Sequence, residues 1–191
     1  MKLTGITVAY GGSFNPPHMG HQMACLYLLE ALGADCVWLM PAAQHPFGKI
    51  LVDFSKRLQM CRIMAQPFGR RVEVSDVEAD AGTSGKTYDT LTRLVKRFPE
   101  RRFALAIGSD ILQEVGQWHR WDDVKELVEV VVVGRAGYPN DDAGPVELPG
   151  LSSGEIRRML RQGIPIEGLV PVGIADYIAE QQLYSAQVRA G

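Results

Sequence analysis

The sequence lacks long apolar runs, paired cysteines and an excess of charge of either sign. No stretch approaches the roughly 20 consecutive apolar residues that a membrane-spanning helix needs, and the N-terminus has no apolar segment long enough for a signal peptide. Cys25, Cys36 and Cys61 show no CxxC pairing or metal-ligand spacing. These absences predict a protein of the reducing cytoplasm, with no membrane partner and with its thiols in or near the core.

Net charge and composition are typical of a globular protein that does not bind nucleic acid. The formal net charge of −2 provides no global basic field of the kind that nucleic-acid binders carry, so we expect no nucleic-acid partner. Hydrophobic residues make up 46% and charged residues 22% of the chain, which is ordinary for a globular protein. The 191 residues are enough for one domain with a sizeable core, and we expect that domain to span 1–191.

Short β-branched runs alternate with stretches of helical period. The pattern predicts strands at 6–10, 36–40, 72–74, 103–107 and 130–133, and helices at 19–32, 53–65, 89–98, 155–161 and 172–182. A further helix is predicted to end at 124–129. This alternation predicts an α/β fold with a Rossmann-like, doubly wound, mainly parallel sheet and helices on both faces. The stretch from Gly134 to Pro149 is rich in glycine, proline and aspartate and is predicted to be a surface loop.

Ligands of such sheets bind beyond the carboxyl ends of the strands, near the switch point. After the first strand comes Gly11-Gly12-Ser13-Phe14-Asn15-Pro16-Pro17-His18-Met19-Gly20-His21. The glycines allow a phosphate to approach the backbone, and the following helix directs its N-terminal amides towards it. His18 and His21, three residues apart, share one face of the first helical turn, and a side chain at Gly20 would crowd the ligand's path.

Two imidazoles at a helix N-terminus suit nucleotidylyl transfer. A phosphate attacks the α-phosphorus of a nucleotide in line, and catalysis consists mainly of positioning and charge stabilisation. The alternative is a zinc site built on the HxxH pair, but no further cysteine or carboxylate stands at ligand spacing. A dinucleotide-binding GxGxxG is absent. Gly85-Lys86-Thr87 resembles the end of a P-loop, but the first glycine of that motif would fall at Asp80.

The segment His18-Met19-Gly20-His21 matches the HxGH signature of the nucleotidylyltransferase superfamily, which the chain resembles. A second signature, ISSTxIR, is similar to the segment from Leu151 to Arg157. The resemblance implies that Ser152 or Ser153 caps a helix whose amides hold the β- and γ-phosphates of ATP, and that Arg157 adds charge. The Ser-Ser pair alone would indicate no more than a helix cap.

Gly154 replaces the threonine that is usual in the second signature. One interpretation is a lost hydroxyl contact to a phosphate. The other is that the helix start needs a positive φ or a close backbone approach at this position.

Further similarity, over almost the whole chain, is to the nicotinate-mononucleotide adenylyltransferase family. Gly85 to Leu91 resembles its SYTxDTL segment, and Ile107 to Asp110 followed by Trp118 resembles its IGxD…W segment. The implied roles are nucleotide positioning for Asp110, pyridine stacking for Trp118 and a place near the adenine for Arg135, although a solvated arginine would look the same. Trp121 is predicted to be a packing residue.

The family resemblance implies a full set of site residues. The catalytic residues are His18 and His21, and the ATP-binding residues are Gly11, Gly12, Ser13, Phe14, Gly20, Gly108, Asp110, Arg135, Ser152, Ser153 and Arg157. The mononucleotide-binding residues are Asn15, Lys49, Thr87 and Trp118. Lys49 belongs to a loop with His45 that departs from the family's Pro-Pro-His-Lys pattern, so a solvated lysine is equally open.

The resemblance implies that the chain transfers the adenylyl group of ATP to nicotinate mononucleotide, giving deamido-NAD and pyrophosphate. Mg²⁺ is expected on the ATP phosphates rather than in a dedicated protein site. Alternatives are another acceptor, such as nicotinamide mononucleotide or phosphopantetheine, and a nucleotide-binding regulator without turnover. The substrates are small molecules, and a homo-oligomer is possible.

Overall fold

The computed structural model describes residues 2–43, 51–80 and 84–185. The strands within these ranges are β1 (Ile6–Gly12), β2 (Cys36–Pro41), β3 (Val72–Val74), β4 (Arg102–Gly108), β5 (Glu129–Arg135) and β6 (Ala143–Leu148). The α-helices are α1 (Met19–Leu26), α2 (Phe54–Ala65), α3 (Thr87–Arg97), α4 (Trp121–Leu127), α5 (Ser153–Arg161) and α6 (Val172–Glu180).

The strands form one sheet with the order β3-β2-β1-β4-β5-β6, and each neighbouring pair is parallel. This is the strand order of the doubly wound Rossmann fold. The direction of the strand order reverses between β1 and β4, so a crevice opens beyond the carboxyl ends of these two strands. The predicted fold class is confirmed, and the predicted ligand position coincides with this crevice.

The sheet is covered on both faces because alternate side chains of each strand point in opposite directions. In β2, Val37 and Leu39 belong to a core with α1, α2, α5 and α6, whereas Trp38 and Met40 belong to a second core with α3 and α4. All six residues of β2 are buried. Its apolar run therefore reflects a central parallel strand rather than a strand with one wet face.

The helix that follows the first strand lies where it was predicted, but its hydrogen-bond pattern changes from α to π after Leu26. α1 continues into a π-helical turn at Tyr27–Ala31, in which the Leu32 N–H donates to the Tyr27 carbonyl at 3.2 Å. The segment ends at Gly33, whose φ of 74° is left-handed. Glycine is the residue that adopts this ending at least cost, as the sequence predicted.

The predicted surface loop from Gly134 to Pro149 is wrong in its second half. β6 (Ala143–Leu148) lies there, as an edge strand beside β5. Half of its residues are exposed, none is buried, and it contains Pro145, so it lacks the apolar alternation that marks a strand. Gly134 permits the pairing, because an added Cβ there would lie 2.5 Å from the Val146 carbonyl oxygen.

In the described ranges, no helix is both long and apolar enough to cross a membrane.

Candidate active site

A cleft of about 600 Å³ opens at the carboxyl ends of β1 and β4, within the usual size range of small-molecule sites. Every site residue that the sequence predicted within the described ranges lines it. These are Gly11, Gly12, Ser13, Phe14, Asn15, His18, Gly20, His21, Thr87, Gly108, Asp110, Trp118, Arg135, Ser152, Ser153 and Arg157. Lys49 and His45 lie outside the described residues.

The loop between β1 and α1 has an unusual backbone. Phe14 adopts a φ of 45°, and its side chain is 1% exposed. A left-handed conformation costs an aromatic residue about 1–2 kcal/mol, so its surroundings must enforce it. The next peptide bond, Asn15–Pro16, is cis.

His18 and His21 stack on each other at the start of α1. Their ring centroids are 3.8 Å apart with an interplanar angle of 29°. His18 precedes the helix in an extended conformation, and its backbone N–H donates to Nδ1 of His21 at 3.1 Å. The edge of the Phe14 ring packs against His21 at a centroid distance of 4.9 Å. The pair is therefore held in place by the backbone and by an aromatic neighbour.

Both imidazoles are neutral near pH 7. Burial, followed by the nearby Arg135 charge, lowers the pKa of His18 to about 4. The pKa of His21 is lowered by burial, then by His18 and then by Arg135. Because Nδ1 of His21 accepts a hydrogen bond, the proton of its neutral ring lies on Nε2. His21 thus offers an N–H donor without carrying a full charge.

The buried Nδ1 of His18 has no hydrogen-bond partner among the described residues. A buried polar atom of this kind is normally satisfied by a ligand or by water. Gly20 explains how the ring fits, because a Cβ at that position would lie 3.1 Å from both Cε1 and Nδ1 of His18. The glycine therefore leaves room for the His18 ring.

The depressed pKa of His18 predicts a pH-dependent stability. The unfolded chain binds a proton on His18 below about pH 6.5, whereas the folded protein does so only below about pH 4. The free energy of unfolding should therefore fall as the pH drops through this interval, and the stabilisation that depends on neutral His18 should be fully present above it.

Thermal melts between pH 7 and pH 4 measure this effect. The melting temperature should decline less steeply with falling pH for His18→Gln than for the wild type. The exposed His119, changed to Gln, is the matched control, and equal slopes in all three proteins would contradict the assignment.

The N-terminus of α5 is docked onto the far side of the same loop. Oγ of Ser152 accepts from the Glu155 N–H at 3.1 Å and so caps the helix. Oγ of Ser153 donates to the Pro16 carbonyl at 2.8 Å, and Nη1 of Arg157 donates to the Asn15 carbonyl at 2.7 Å. The second signature thus supports the loop that bears the first.

A Cβ at Gly154 would find its nearest neighbours at 3.8 Å and 3.9 Å, which is ordinary contact, and the residue has no left-handed φ. The interpretation that this helix start requires glycine is therefore wrong, which leaves the lost hydroxyl contact as a prediction.

Asp110 and Arg135 link the ends of β4 and β5. Nη1 of Arg135 forms an ion pair with the Asp110 carboxylate, its Nη2 donates to the Leu151 carbonyl, and its backbone N–H donates to Oγ of Ser109 at 3.0 Å. The guanidinium is therefore anchored rather than solvated. Gly108 leaves space for the carboxylate, because an added Cβ would lie 2.3 Å from Oδ1 of Asp110.

Trp118 and Thr87 also line the cleft, on segments that pack against the second core, whereas α5 packs against the first. Trp118 lines the cleft and meets Trp121 edge-to-face at 5.6 Å. Trp121 is not part of the cleft lining, which agrees with its predicted packing role. Glu78 also lines this side, and its carboxylate accepts from the hydroxyl of Thr90. Burial raises the pKa of Glu78.

Sequence reasoning missed Arg57, Glu78 and Tyr184. Arg57 donates to the Ser13 carbonyl at 2.9 Å, and the Tyr184 hydroxyl donates to Oδ1 of Asn15 at 2.8 Å. A signal was available for Arg57, which shares the buried stripe of α2 with apolar residues. Tyr184 ends a stretch that resembles the family's C-terminal helix and is predicted to be structural, and its partner lies 169 residues away.

Comparison with known proteins gives concordant results. Residues 9–159 match the family described as cytidylyltransferase-like. The chain is 48% identical over 177 residues to a probable nicotinate-nucleotide adenylyltransferase of Anaeromyxobacter dehalogenans (strain 2CP-C), covering 91% of this chain and 94% of the relative. It is 42% identical over 174 residues to a protein of the same description from Myxococcus xanthus (strain DK1622), covering 91% and 92%.

Solved structures resemble the fold. Plasmodium falciparum nicotinic acid mononucleotide adenylyltransferase complexed with NaAD matches with a TM-score of 0.79 at 20% identity, covering 93% of this chain and 96% of that chain. A structure described as a putative nicotinate-nucleotide adenylyltransferase from Vibrio parahaemolyticus matches with a TM-score of 0.72 at 22% identity, covering 96% of both chains. At these identities the likeness concerns the fold alone.

Proposed function

Because the chain belongs to the cytidylyltransferase-like family, and within it to the nicotinate-nucleotide adenylyltransferases, we propose that it transfers the adenylyl group of ATP to nicotinate mononucleotide. The products are deamido-NAD and pyrophosphate. The observation that carries the proposal is the stacked, neutral pair of His18 and His21 at the switch point of the sheet. The pair stands beside a glycine-rich loop and a helix N-terminus, as a phosphate site requires.

The chemistry is an in-line displacement at the α-phosphorus. An oxygen of the mononucleotide phosphate forms the new P–O bond, and pyrophosphate leaves with the electrons of the old one. Nε2–H of His21 supplies a hydrogen-bond donor towards the developing charge, and the positive end of the α1 dipole adds to it. The attacking phosphate oxygen is already ionised, so no base is needed, and the imidazoles act by orientation and charge stabilisation.

Mg²⁺ would be carried by the phosphate oxygens of ATP. The described residues contain no group of three or more histidine, cysteine, aspartate or glutamate side chains arranged to hold a metal ion. Mg²⁺ is commonly bound through substrate phosphates and water, and it would neutralise charge on the leaving pyrophosphate.

The decisive experiment is an acceptor panel. Pyrophosphate release is measured with MgATP and, in turn, nicotinate mononucleotide, nicotinamide mononucleotide and phosphopantetheine, and the product is identified by mass. We expect the highest kcat/KM with nicotinate mononucleotide. A higher value with another acceptor would change the substrate but keep the reaction. ATP binding without turnover of any acceptor would point to a regulator.

Trp118→Ala should raise KM for the mononucleotide much more than KM for ATP. Stacking of an indole on a ring is worth on the order of 1–3 kcal/mol, by analogy with base–aromatic stacking. Steady-state kinetics with each substrate varied in turn measures the two constants, and Trp118→Phe should retain part of the affinity. Equal increases in both KM values would instead indicate a packing role.

The proposed location is the reducing cytoplasm, where free thiols such as the buried Cys25, Cys36 and Cys61 persist. A homo-oligomer stays a prediction, which sedimentation of the purified protein would measure.

A further inference from the structure

Arg57 is a cation inside the protein core. It lies on α2 in the same stripe as Met60, Cys61 and Met64, and it is 1% exposed. Among the residues that the structure describes, no carboxylate stands within ion-pair distance of its guanidinium. Burial lowers its pKa. Because a buried charge without a counter-ion is costly, a methionine or leucine would serve the packing of α2 better.

The guanidinium holds three separate segments by their backbone carbonyls. Nη1 donates to Ser13 at 2.9 Å, Nε donates to Val52 at 2.8 Å, and Nη2 donates to Ala43 at 3.4 Å. Ser13 belongs to the loop between β1 and α1, Ala43 follows β2, and Val52 precedes α2. One side chain therefore ties the glycine-rich loop both to the residues that follow β2 and to those that precede α2.

The bond to Ser13 sets the direction of the next amide. In a trans peptide the carbonyl and the N–H point in opposite directions, so fixing the Ser13 carbonyl towards Arg57 directs the Phe14 N–H away from it. A hydrogen bond to the carbonyl also polarises the peptide and strengthens the N–H as a donor. The left-handed φ of Phe14 shows that the surroundings impose this local conformation.

Two further carbonyls of the loop are held by side chains of α5. Ser153 binds the Pro16 carbonyl and Arg157 binds the Asn15 carbonyl, at 2.8 Å and 2.7 Å. Prolines follow both of these carbonyls, so neither peptide carries an N–H that could be directed at a ligand. The Ser13–Phe14 peptide differs, because Arg57 binds its carbonyl and the peptide still carries an N–H, that of Phe14, which can be directed at a ligand.

We propose that Arg57 is a positioning residue for nucleotidylyl transfer, acting through the Ser13–Phe14 peptide. Its buried guanidinium orients the Phe14 N–H as a donor to an ATP phosphate and keeps the loop in register with α2. The inference rests on the proposed function, since the loop is taken to hold ATP. The cation is kept in the core because three carbonyls on separate segments must be held in fixed directions, for which the rigid planar fork of arginine is better suited than a compact ammonium.

The test compares Arg57→Met and Arg57→Lys with the wild type, and Arg62→Met serves as the matched control. Arg62 lies on the same helix but is exposed. For each protein, kcat and both KM values are measured by pyrophosphate release beside a thermal melt. We expect Arg57→Met to lower kcat by about tenfold or more, the effect of losing one charge-assisted hydrogen bond. Arg57→Lys should lie in between, KM for the mononucleotide should stay within about threefold, and Arg62→Met should match the wild type.

A folded Arg57→Met with kcat within about twofold of the wild type would overturn the proposal and leave Arg57 a packing residue. If that variant does not fold, Arg57→Lys is judged by the same criterion.

A second test follows the amide proton of Phe14 by NMR and does not depend on turnover. The amide proton resonance of Phe14 should move downfield when MgATP is added without acceptor, and an unmoved resonance would overturn the proposal. If the wild type and Arg62→Met release no pyrophosphate with any acceptor, the proposed function fails. The same titration on Arg57→Met then still tests the role of Arg57, since its Phe14 resonance should move less than that of the wild type.

Discussion

Replacing either His18 or His21 with alanine should lower kcat by about 10²–10³-fold and leave the protein folded. Removal of one donor that faces developing charge typically has this effect. The two rings are stacked, and the ring of His21 is oriented by the N–H of His18. Each variant therefore disturbs the other ring as well, so the double variant should lose much less than the product of the two single effects.

Pyrophosphate release at saturating substrate measures the loss, and circular dichroism checks the fold. His21→Gln is the informative partner variant, because its side-chain amide can place an N–H near the position of Nε2. It should retain more activity than His21→Ala. Near wild-type turnover in both alanine variants would show that the imidazoles do not act on the reacting phosphate.

Gly20→Ala should lower kcat by about 10- to 100-fold without lowering the melting temperature. The added Cβ would approach Cε1 and Nδ1 of His18 to 3.1 Å, so the ring must shift by a few tenths of an ångström. Small displacements of positioned groups cost up to about 10² in rate. Alanine is the better helix former, so the helix itself gains rather than loses stability.

Gly116→Ala is the matched control, since a Cβ at that position would meet nothing within 4 Å. It should keep wild-type kcat and a similar melting temperature. If Gly20→Ala also kept its kcat, the position of the His18 ring would have little influence on the rate. A fall in melting temperature would show that the added methyl disturbs packing rather than the imidazole alone.

The sequence predicted the strands whose apolar residues reflect a central position in the sheet. β2 and β4 are apolar because both faces of a central parallel strand are covered, and such runs are visible in a sequence. β6 was missed because an edge strand needs no apolar face. Its pairing depends on Gly134, where the close approach of the Val146 carbonyl cannot be read from composition.

The candidate site divides in the same way. The glycine-rich loop and the two histidines are contiguous in the chain, so their spacing alone places them together at the first turn of a helix. The contacts behind the loop are different in kind. Arg57 and Ser153 bind backbone carbonyls, and a carbonyl acceptor looks the same in every residue of a sequence. Asp110 and Arg135 were both identified, but not their pairing.

The sequence by itself predicted five of the six strands in the described ranges, a site beyond the carboxyl ends of the strands, and the histidine pair, because each depends on periodicity or on short spacing. Only the tertiary structure decided what holds the loop. It placed the hydroxyl of Tyr184 on Asn15 and the guanidinium of Arg57 on Ser13, across separations of 169 and 44 residues. Contacts of this length depend on how whole helices dock on the sheet, which local propensity does not encode.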